Sequence, residues 1–397
     1  MLTRRTAALT LSLVALFITG GLLYAGPLNP PTGPITSTYK TLQEVEPRIA
    51  LSSVNTPGDA NSVFRITQPG SYHLADNISP ISGKHGIEIA ASNVTIDLNG
   101  FELLGDPASG DLDGITVAIN GLTNISISNG SVRGWSGFGI QLGTASDFRI
   151  EEILAEANTG GGIFVGNGGA ITRCTAYGNG YSGIVAGEGN IISNCSARFN
   201  LNDGVSTASN CIVTNCASYN NYWDGISVTF GCSITLCATN GNVNAGVTAN
   251  EDSILSHVTS AGNNTGIAAY VRCSVINCVT QSNHVNGIVC TSGCVIRGNS
   301  CNDTHGGDGV SVGIHVIGSN CRIENNSCMT NDLGFRIENP GNLILKNTCS
   351  GNITNWSIAA GNALGPIVVA SPSASLFSGD SSPESIGSTH PNANFTR

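Results

Sequence analysis

GIVAGEGNIISNCSARFNLND (183–203), GVSTASNCIVTNCASYNNYWD (204–224) and GISVTFGCSITLCATNGNVNA (225–245) are consecutive in the chain and are one pattern written three times. GIFVGNGGAITRCTAYGNGYS precedes them, and GVTANEDSILSHVTSAGNNT and GIAAYVRCSVINCVTQSNHVN follow. Residues 162–286 therefore hold six units of 21 residues, the fifth one residue short. Periodicity of this size decides the architecture before any local reading does. Each unit has three short bursts of alternation: Gly-Ile-x-Val, an isolated Ile as at Ile171, Ile192 and Ile234, and Cys-x-Ala as at Cys174/Ala176 and Cys195/Ala197. Apolar runs this short, with Gly, Asn, Ser and Asp between them, carry no helical period. Three short strands per turn joined by polar corners predict an all-β parallel β-helix, a single-stranded solenoid in which neighbouring coils share one continuous core.

Stacking one unit on each coil puts equivalent residues about 4.8 Å apart. Asn179, Asn200, Asn221, Asn242, Asn263 and Asn283 then form a column, able to take left-handed corner backbone and to bond amide to amide. A second column is read as Cys174, Cys195, Cys216, Cys237, His257 and Cys278, and a looser third as Cys211, Cys232, Cys273, Cys294 and Cys321. Small apolar Cys suits an interior column. Metal binding is the functional alternative, but no C-x2-C or C-x2-C…H-x3-H spacing occurs.

The 397 residues carry 51 Gly and 14 Cys, with only 11% charged residues, which excludes a disordered chain. Residues 1–25 read as a bacterial-type signal peptide: Arg4 and Arg5, an apolar segment from Ala7 to Phe17, and Leu23-Tyr24-Ala25 at the cleavage site, with a membrane anchor as the alternative. The expected location is secreted, periplasmic or on the cell surface. No other apolar run is long enough for a membrane span. The formal charge of −10 becomes about −12 once Arg4 and Arg5 are removed, which disfavours nucleic acid as a partner and makes a polyanion harder to bind without a bridging cation. The charge does not speak to oligomeric state. In an oxidising compartment 14 Cys invite disulfides. Stacked side chains point the same way, however, so buried free thiols are expected, with pairs confined to Cys290, Cys294, Cys301, Cys321 and Cys328, where the spacing is irregular.

The domain plan follows. Residues 26–63 form a Pro-rich leader and N-terminal cap, with a short helix at residues 41–45. Residues 64–360 form the solenoid, about thirteen coils opening with Phe64-Arg65-Ile66 and Ser71-Tyr72-His73-Leu74. Residues 361–397 form a C-terminal cap and tail. Gly-Ile marks at Gly86, Gly114, Gly139 and Gly162 are spaced 28, 25 and 23, and those at Gly266, Gly287, Gly313 and Gly334 are spaced 21, 26 and 21. Both ends therefore carry longer loops, at residues 106–113, 132–138 and 302–312. Trp356 is read as replacing the next Gly.

Gly-Ile-x-Val, Ile-x-Asn-Cys-x-Ala, Pro69-Gly70-Ser71-Tyr72-His73-Leu74 and Val94-Thr95-Ile96-Asp97-Leu98-Asn99-Gly100 resemble the repeats of the pectin-lyase-like superfamily over residues 64–360. That resemblance implies a right-handed parallel β-helix. It names no reaction, because the superfamily includes polysaccharide lyases, polygalacturonases, mannuronan epimerases, phage tailspikes and proteins without activity. The Asn-Thr-Asp, Gly-His-Gly, Arg-Ile-Lys, Asp-Pro-His-Asp and Arg-x-Pro-x-x-Arg signatures of those enzymes are absent here.

Candidate chemistry comes from the residue between Ile and Val, which faces solvent. Those residues run Glu88, Thr116, Gln141, Phe164, Val185, Ser206, Ser227, Thr248, Ala268, Val289, His315 and Arg336. Ionisable groups return at His315 and Arg336, with Glu338 nearby and with His305 and Asp308 in the preceding insertion. His315, Arg336, His305 and Asp308 are the candidate catalytic set: β-elimination of a uronate needs its carboxylate neutralised and a base. A solvated face of ordinary ion pairs is the other reading. Asp106, Asp111 and Asp113 offer oxygen ligands for Ca²⁺, the one cofactor suggested, or an acidic surface loop. Tyr177, Tyr181, Tyr219, Tyr222 and Trp223 offer flat rings to a sugar, or cover corner backbone. Asp203 and Asp224, each before a Gly, read as turn residues. The functional expectation is a secreted protein that binds or acts on a polysaccharide, in the manner of a uronate lyase. A non-catalytic glycan-binding or surface-structural β-helix is the alternative, and an inert member of the lineage a third.

Overall fold

The computed structural model describes residues 46–108, 110–306, 310–370 and 390–397. The expected signal peptide, the helix at 41–45, Asp308 and most of the tail lie outside these residues. Arg48–Arg397 form one compact unit.

Every three-residue burst of alternation becomes a strand. In the unit opening at Gly183, Ile184–Ala186, Ile191–Ser193 and Ser196–Arg198 build three successive sides of one coil. Each strand pairs in parallel with its equivalents in the next unit: Ile184 opposite Val205, Ile191 opposite Ile212, Ser196 opposite Ala217. The result is a parallel β-helix with three sheets. The second sheet has fifteen rungs, from Ile49–Ala50 to Ala363–Leu364, two more than the thirteen coils expected. No helix occurs among the described residues, and none is long and apolar enough to cross a membrane.

The corners share one device. At each, a single residue takes positive φ, usually followed by a small buried side chain such as Asn190, Cys174 or Asn179. The three series begin Gly168, Gly189, Asn210; Arg173, Asn194, Asn215; and Gly178, Phe199, Asn220. A left-handed residue turns the chain sharply, and Gly and Asn tolerate it best.

The buried Asn column is present, but its members are not the left-handed residues; those stand one position earlier. Asn179 Nδ2 donates to Asn200 Oδ1 at 2.9 Å, Asn200 to Asn221 at 3.0 Å, and Asn221 to Asn242 at 2.9 Å. Each Oδ1 also accepts a backbone N–H from the preceding coil, as Asn221 Oδ1 does from Asn200 N at 3.1 Å. From Gly139 onward the ladder explains the Gly of most Gly-Ile marks. A Cβ at Gly225 would lie 2.7 Å from Asn242 Nδ2 and 2.5 Å from Gly246 O.

The Cys column holds with one correction. Val258, not His257, stands between Cys237 and Cys278; His257 is the left-handed corner residue with φ 54°. The missing residue of the fifth unit falls later, in the corner after Asn263: Asn242 and Asn263 are 21 positions apart, whereas Ala245 pairs with Thr265. All 14 Cys are buried free thiols, including the five for which pairing was expected. Asn299, Asn326 and Asn347 continue this column, and Asn394 of the tail completes it: Asn347 Nδ2 donates to Asn394 Oδ1 at 3.2 Å. Asn394–Thr396 is a strand lying between Thr348–Ser350 and Ile367–Val369. At the last full coil Asn355, not Trp356, occupies the Gly position. Trp356 takes the place of Ile and stacks on Phe335 at 4.9 Å and 9°.

Candidate functional site

The solvent column of the first sheet forms rung by rung in the expected order. Glu88 pairs with Thr116, Val185 with Ser206, Ser227 with Thr248, Val289 with His315, and His315 with Arg336. The face is recessed towards its C-terminal end. Ala268 and Val289 point away from the core yet are 4% and 8% exposed, packed with Ala245 in a separate apolar patch. Beside this patch lies a pocket of about 230 Å³ lined by Asn264, His284, Val285, Gly306, Val310 and Ser311.

His315 and Arg336 meet, and Glu338 joins them. His315 Nε2 lies 2.9 Å from Glu338 Oε1, and Arg336 donates to the same oxygen at 3.0 Å. Nδ1 of His315 lies 3.2 Å from Asn286 Oδ1. Both ring nitrogens are thus engaged, so His315 has no lone pair directed at solvent. The arrangement places the imidazole between an amide and a carboxylate. Arg336 is half-exposed and can swing from Glu338 to another carboxylate.

His305 belongs to a second group. Its Nδ1 lies 3.1 Å from Asp332 Oδ1, and its Nε2 lies 3.5 Å from Asp303. Asp332 also accepts the Ser311 N–H at 3.2 Å and so fastens the insertion to the next coil. Asp332 and Asn286 are contributors that the residue pattern did not reveal. Neither stands in the solvent column: Asn286 opens the strand Asn286–Cys290 and Asp332 lies in the turn before Leu333–Ile337, positions where Asp and Asn read as ordinary corner residues.

The aromatic set divides. Tyr177 and Tyr219 lie on the third sheet, on either side of Arg198, whose guanidinium sits 5.0 Å from the Tyr177 ring. Tyr181, Tyr222 and Trp223 stand on the corner leading into the first sheet, 50%, 63% and 52% exposed, and Leu201 and Val243 extend the stripe. Asp203 and Asp224 lie beneath this corner, both buried. Asp203 accepts the Asp224 N–H at 3.1 Å, and Asp224 accepts the Ala245 N–H at 2.9 Å, as turn residues do. Burial, with the neighbouring Asp224 charge, pushes the Asp203 carboxyl up to about 6 against the opposing pull of its backbone hydrogen bond.

The acidic N-terminal set is dispersed. Asp106 accepts the N–H of Ala108 at 3.0 Å. Asp113 is buried, accepts the Phe138 N–H at 2.7 Å, and has its pKa raised by desolvation, with Asp111 adding repulsion. The carboxylate oxygens of Asp106, Asp111 and Asp113 do not all lie within 4.8 Å of one another. Glu88 pairs with Arg65 at 2.7 Å, Arg133 with Glu102, and Trp135 is a core residue whose Nε1 donates to Leu103 O at 3.1 Å.

A family model described as a right-handed β-helix region matches residues 113–265. No curated protein sequence matches the chain. Among solved structures, the A-module of mannuronan C-5 epimerase AlgE4 from Azotobacter vinelandii is 16% identical, with a TM-score of 0.50 over 75% of this chain and 91% of that one. The AlgE6 A-module from the same organism is 14% identical, with a TM-score of 0.47 over 83% and 90%. The periplasmic alginate epimerase AlgG is 12% identical, with a TM-score of 0.43 over 90% and 82%. At such identity the likeness is one of fold. The chain folds as a right-handed parallel β-helix.

Proposed function

We propose that this protein is exported and binds an extracellular polysaccharide lengthwise along the first sheet. The observation that carries the reading is the corner stripe of Tyr181, Tyr222 and Trp223, exposed on nearby coils beside the hydroxyl column of Ser206, Ser227 and Thr248. Flat rings receive the apolar faces of sugars and the hydroxyls exchange hydrogen bonds with their edges. The epimerase titles of the structural neighbours agree with a glycan ligand without naming one for this chain. A net charge of −10 weakens binding of a polyanion, so uronate chains would bind through Arg336 and through Ca²⁺ as a bridging ion.

A lyase is the second reading, favoured by the adjacency of His315, Arg336 and Glu338. It requires His315 to leave Glu338 or Asn286 before it can accept a proton.

The test is affinity for alginate, pectin, chondroitin and neutral glycans, with and without Ca²⁺, followed by mass spectrometry of the same mixtures. We expect retention on at least one glycan, weakened at least about tenfold by Trp223→Ala, in line with the 1–3 kcal/mol lost when a stacking ring is removed. Retention unchanged by Trp223→Ala and Tyr222→Ala overturns the corner as the binding surface. Unsaturated products lost in His315→Ala and Arg336→Ala establish the lyase.

A further inference from the structure

Elsewhere in the solenoid the thiols stack in single file within their columns, as Cys174, Cys195, Cys216 and Cys237 do. At one place two files meet. Cys290 occupies the inward strand position of the first sheet that Ala269 fills one coil earlier. Cys294 and Cys321 are successive members of the adjoining corner column, joined by the hydrogen bond from Cys294 N to Cys321 Sγ at 3.4 Å. Among the described residues, these are the one set of three side chains whose ligand atoms all lie within 4.8 Å of one another.

We propose that Cys290, Cys294 and Cys321 bind a thiophilic monovalent d10 cation of the copper(I) and silver(I) class. Metal–sulfur bonds of about 2.3 Å place three sulfurs round one trigonal ion about 4 Å apart, within the spacing seen here. An all-sulfur donor set selects soft ions over Ca²⁺ or Mg²⁺. Zinc takes a fourth ligand, and no His, Asp or Glu joins the set. Water does not supply one, because the three residues are 0%, 1% and 2% exposed. A three-coordinate d10 ion is the occupant that needs nothing more. In the metal-free chain the sulfurs are spoken for: Cys294 Sγ donates to Tyr270 O at 2.9 Å and Cys321 Sγ to Thr291 O at 3.0 Å. Ligation releases those thiol protons to solvent and turns the sulfur lone pairs to the ion, with no change of oxidation state. The left-handed Gly293 and Asn320 precede Cys294 and Cys321, so one surface turn separates the sulfurs from solvent and gives a route of entry.

The fold supplies its own controls, because each column already contains replacements. Cys290→Ala copies Ala269, Cys294→Ser copies Ser253, and Cys321→Asn copies Asn342. The full chain, purified reduced and without oxygen, is titrated with silver(I) against a competing thiol, and sulfur coordination is counted by X-ray absorption. We expect one tight equivalent with three sulfur neighbours. Each of the three substitutions lowers its affinity by more than the roughly 10–100-fold typical of losing an outer-shell partner. Cys216→Ala, in a single-file column, leaves it unchanged. Absence of a tight equivalent, a two-sulfur shell, retention in Cys290→Ala, or equal loss in Cys216→Ala each overturns the site.

Discussion

The middle coils and the C-terminal coils use one repeat with different strictness. From Asn158 to Asn283 seven buried amides run without interruption, and the solvent column beside them carries only neutral side chains. Past residue 287 the register admits an insertion, and there the ladder breaks: Thr304 takes the next Asn position, and its Oγ1 is buried without a hydrogen-bond partner among the described residues. The same coils bring in His305, His315, Arg336 and the three-thiol cluster. Regularity supplies stability, and the chemically distinctive groups gather where regularity is relaxed, as expected when function is grafted on a scaffold.

The sharpest way to break this comparison is Asn221→Ala. It removes the acceptor of Asn200 N–H and Nδ2 and the donor to Asn242 Oδ1, all buried. Stability to urea is expected to fall by about 3–5 kcal/mol, because each orphaned group costs about 1–3 kcal/mol. A loss below 1 kcal/mol would mean that the ladder is ornamental. Asp203 gives the next effect. Its folded pKa of about 6 exceeds its ordinary value of 3.8, so the folded state holds the extra proton between those values. Stability from this group is complete below about pH 4 and is lost as pH rises to about 6, by up to about 3 kcal/mol before screening by solvent. The difference between wild type and Asp203→Asn isolates it from carboxylates of opposite sign, such as Asp59, held at about 2 chiefly by the Asn61 N–H. Thr304→Asn repairs the break and should add about 1 kcal/mol to thermal stability; destabilisation instead would show that the insertion requires Thr. Smallest is Glu338→Gln. Its partners are partly exposed, so less than about 1 kcal/mol of stability is at stake. Urea unfolding of the variant checks it, and a loss above about 1 kcal/mol would show that the pair is more than a surface contact.

What was legible follows from geometry. Inward Ile and Val, the outward residue between them and the adjacency of His315 and Arg336 all follow from strand alternation and coil stacking, and both rules are local. The His257 and Trp356 assignments failed by one residue because a sequence comparison does not say where a coil absorbs a missing or altered residue. The structure drops the missing residue in the corner after Asn263, and it sets Asn355 rather than Trp356 at the Gly position, so the buried columns stay in phase. Asp332 and Asn286 escaped notice because their roles depend on how the insertion folds back. The thiol cluster had a faint signal: Cys290 and Cys294 stand four positions apart, one on a strand and the other past a corner.

The amide ladder also has a direction. Each Nδ2 donates towards the C-terminal coil, and the backbone N–H bound to each Oδ1 fixes that orientation, so the side-chain dipoles add head to tail along the axis, as peptide dipoles do in a helix. Like a helix, the column has capped ends. Trp135 N–H meets the first oxygen at 3.1 Å, and beyond the break Asn352 Nδ2 ends on Asn355 Oδ1 at 2.8 Å. The solenoid is therefore electrically polar along its length, and Thr304 divides it into two aligned segments. Duplicating a middle coil would lengthen the first segment by one amide and leave both caps in place.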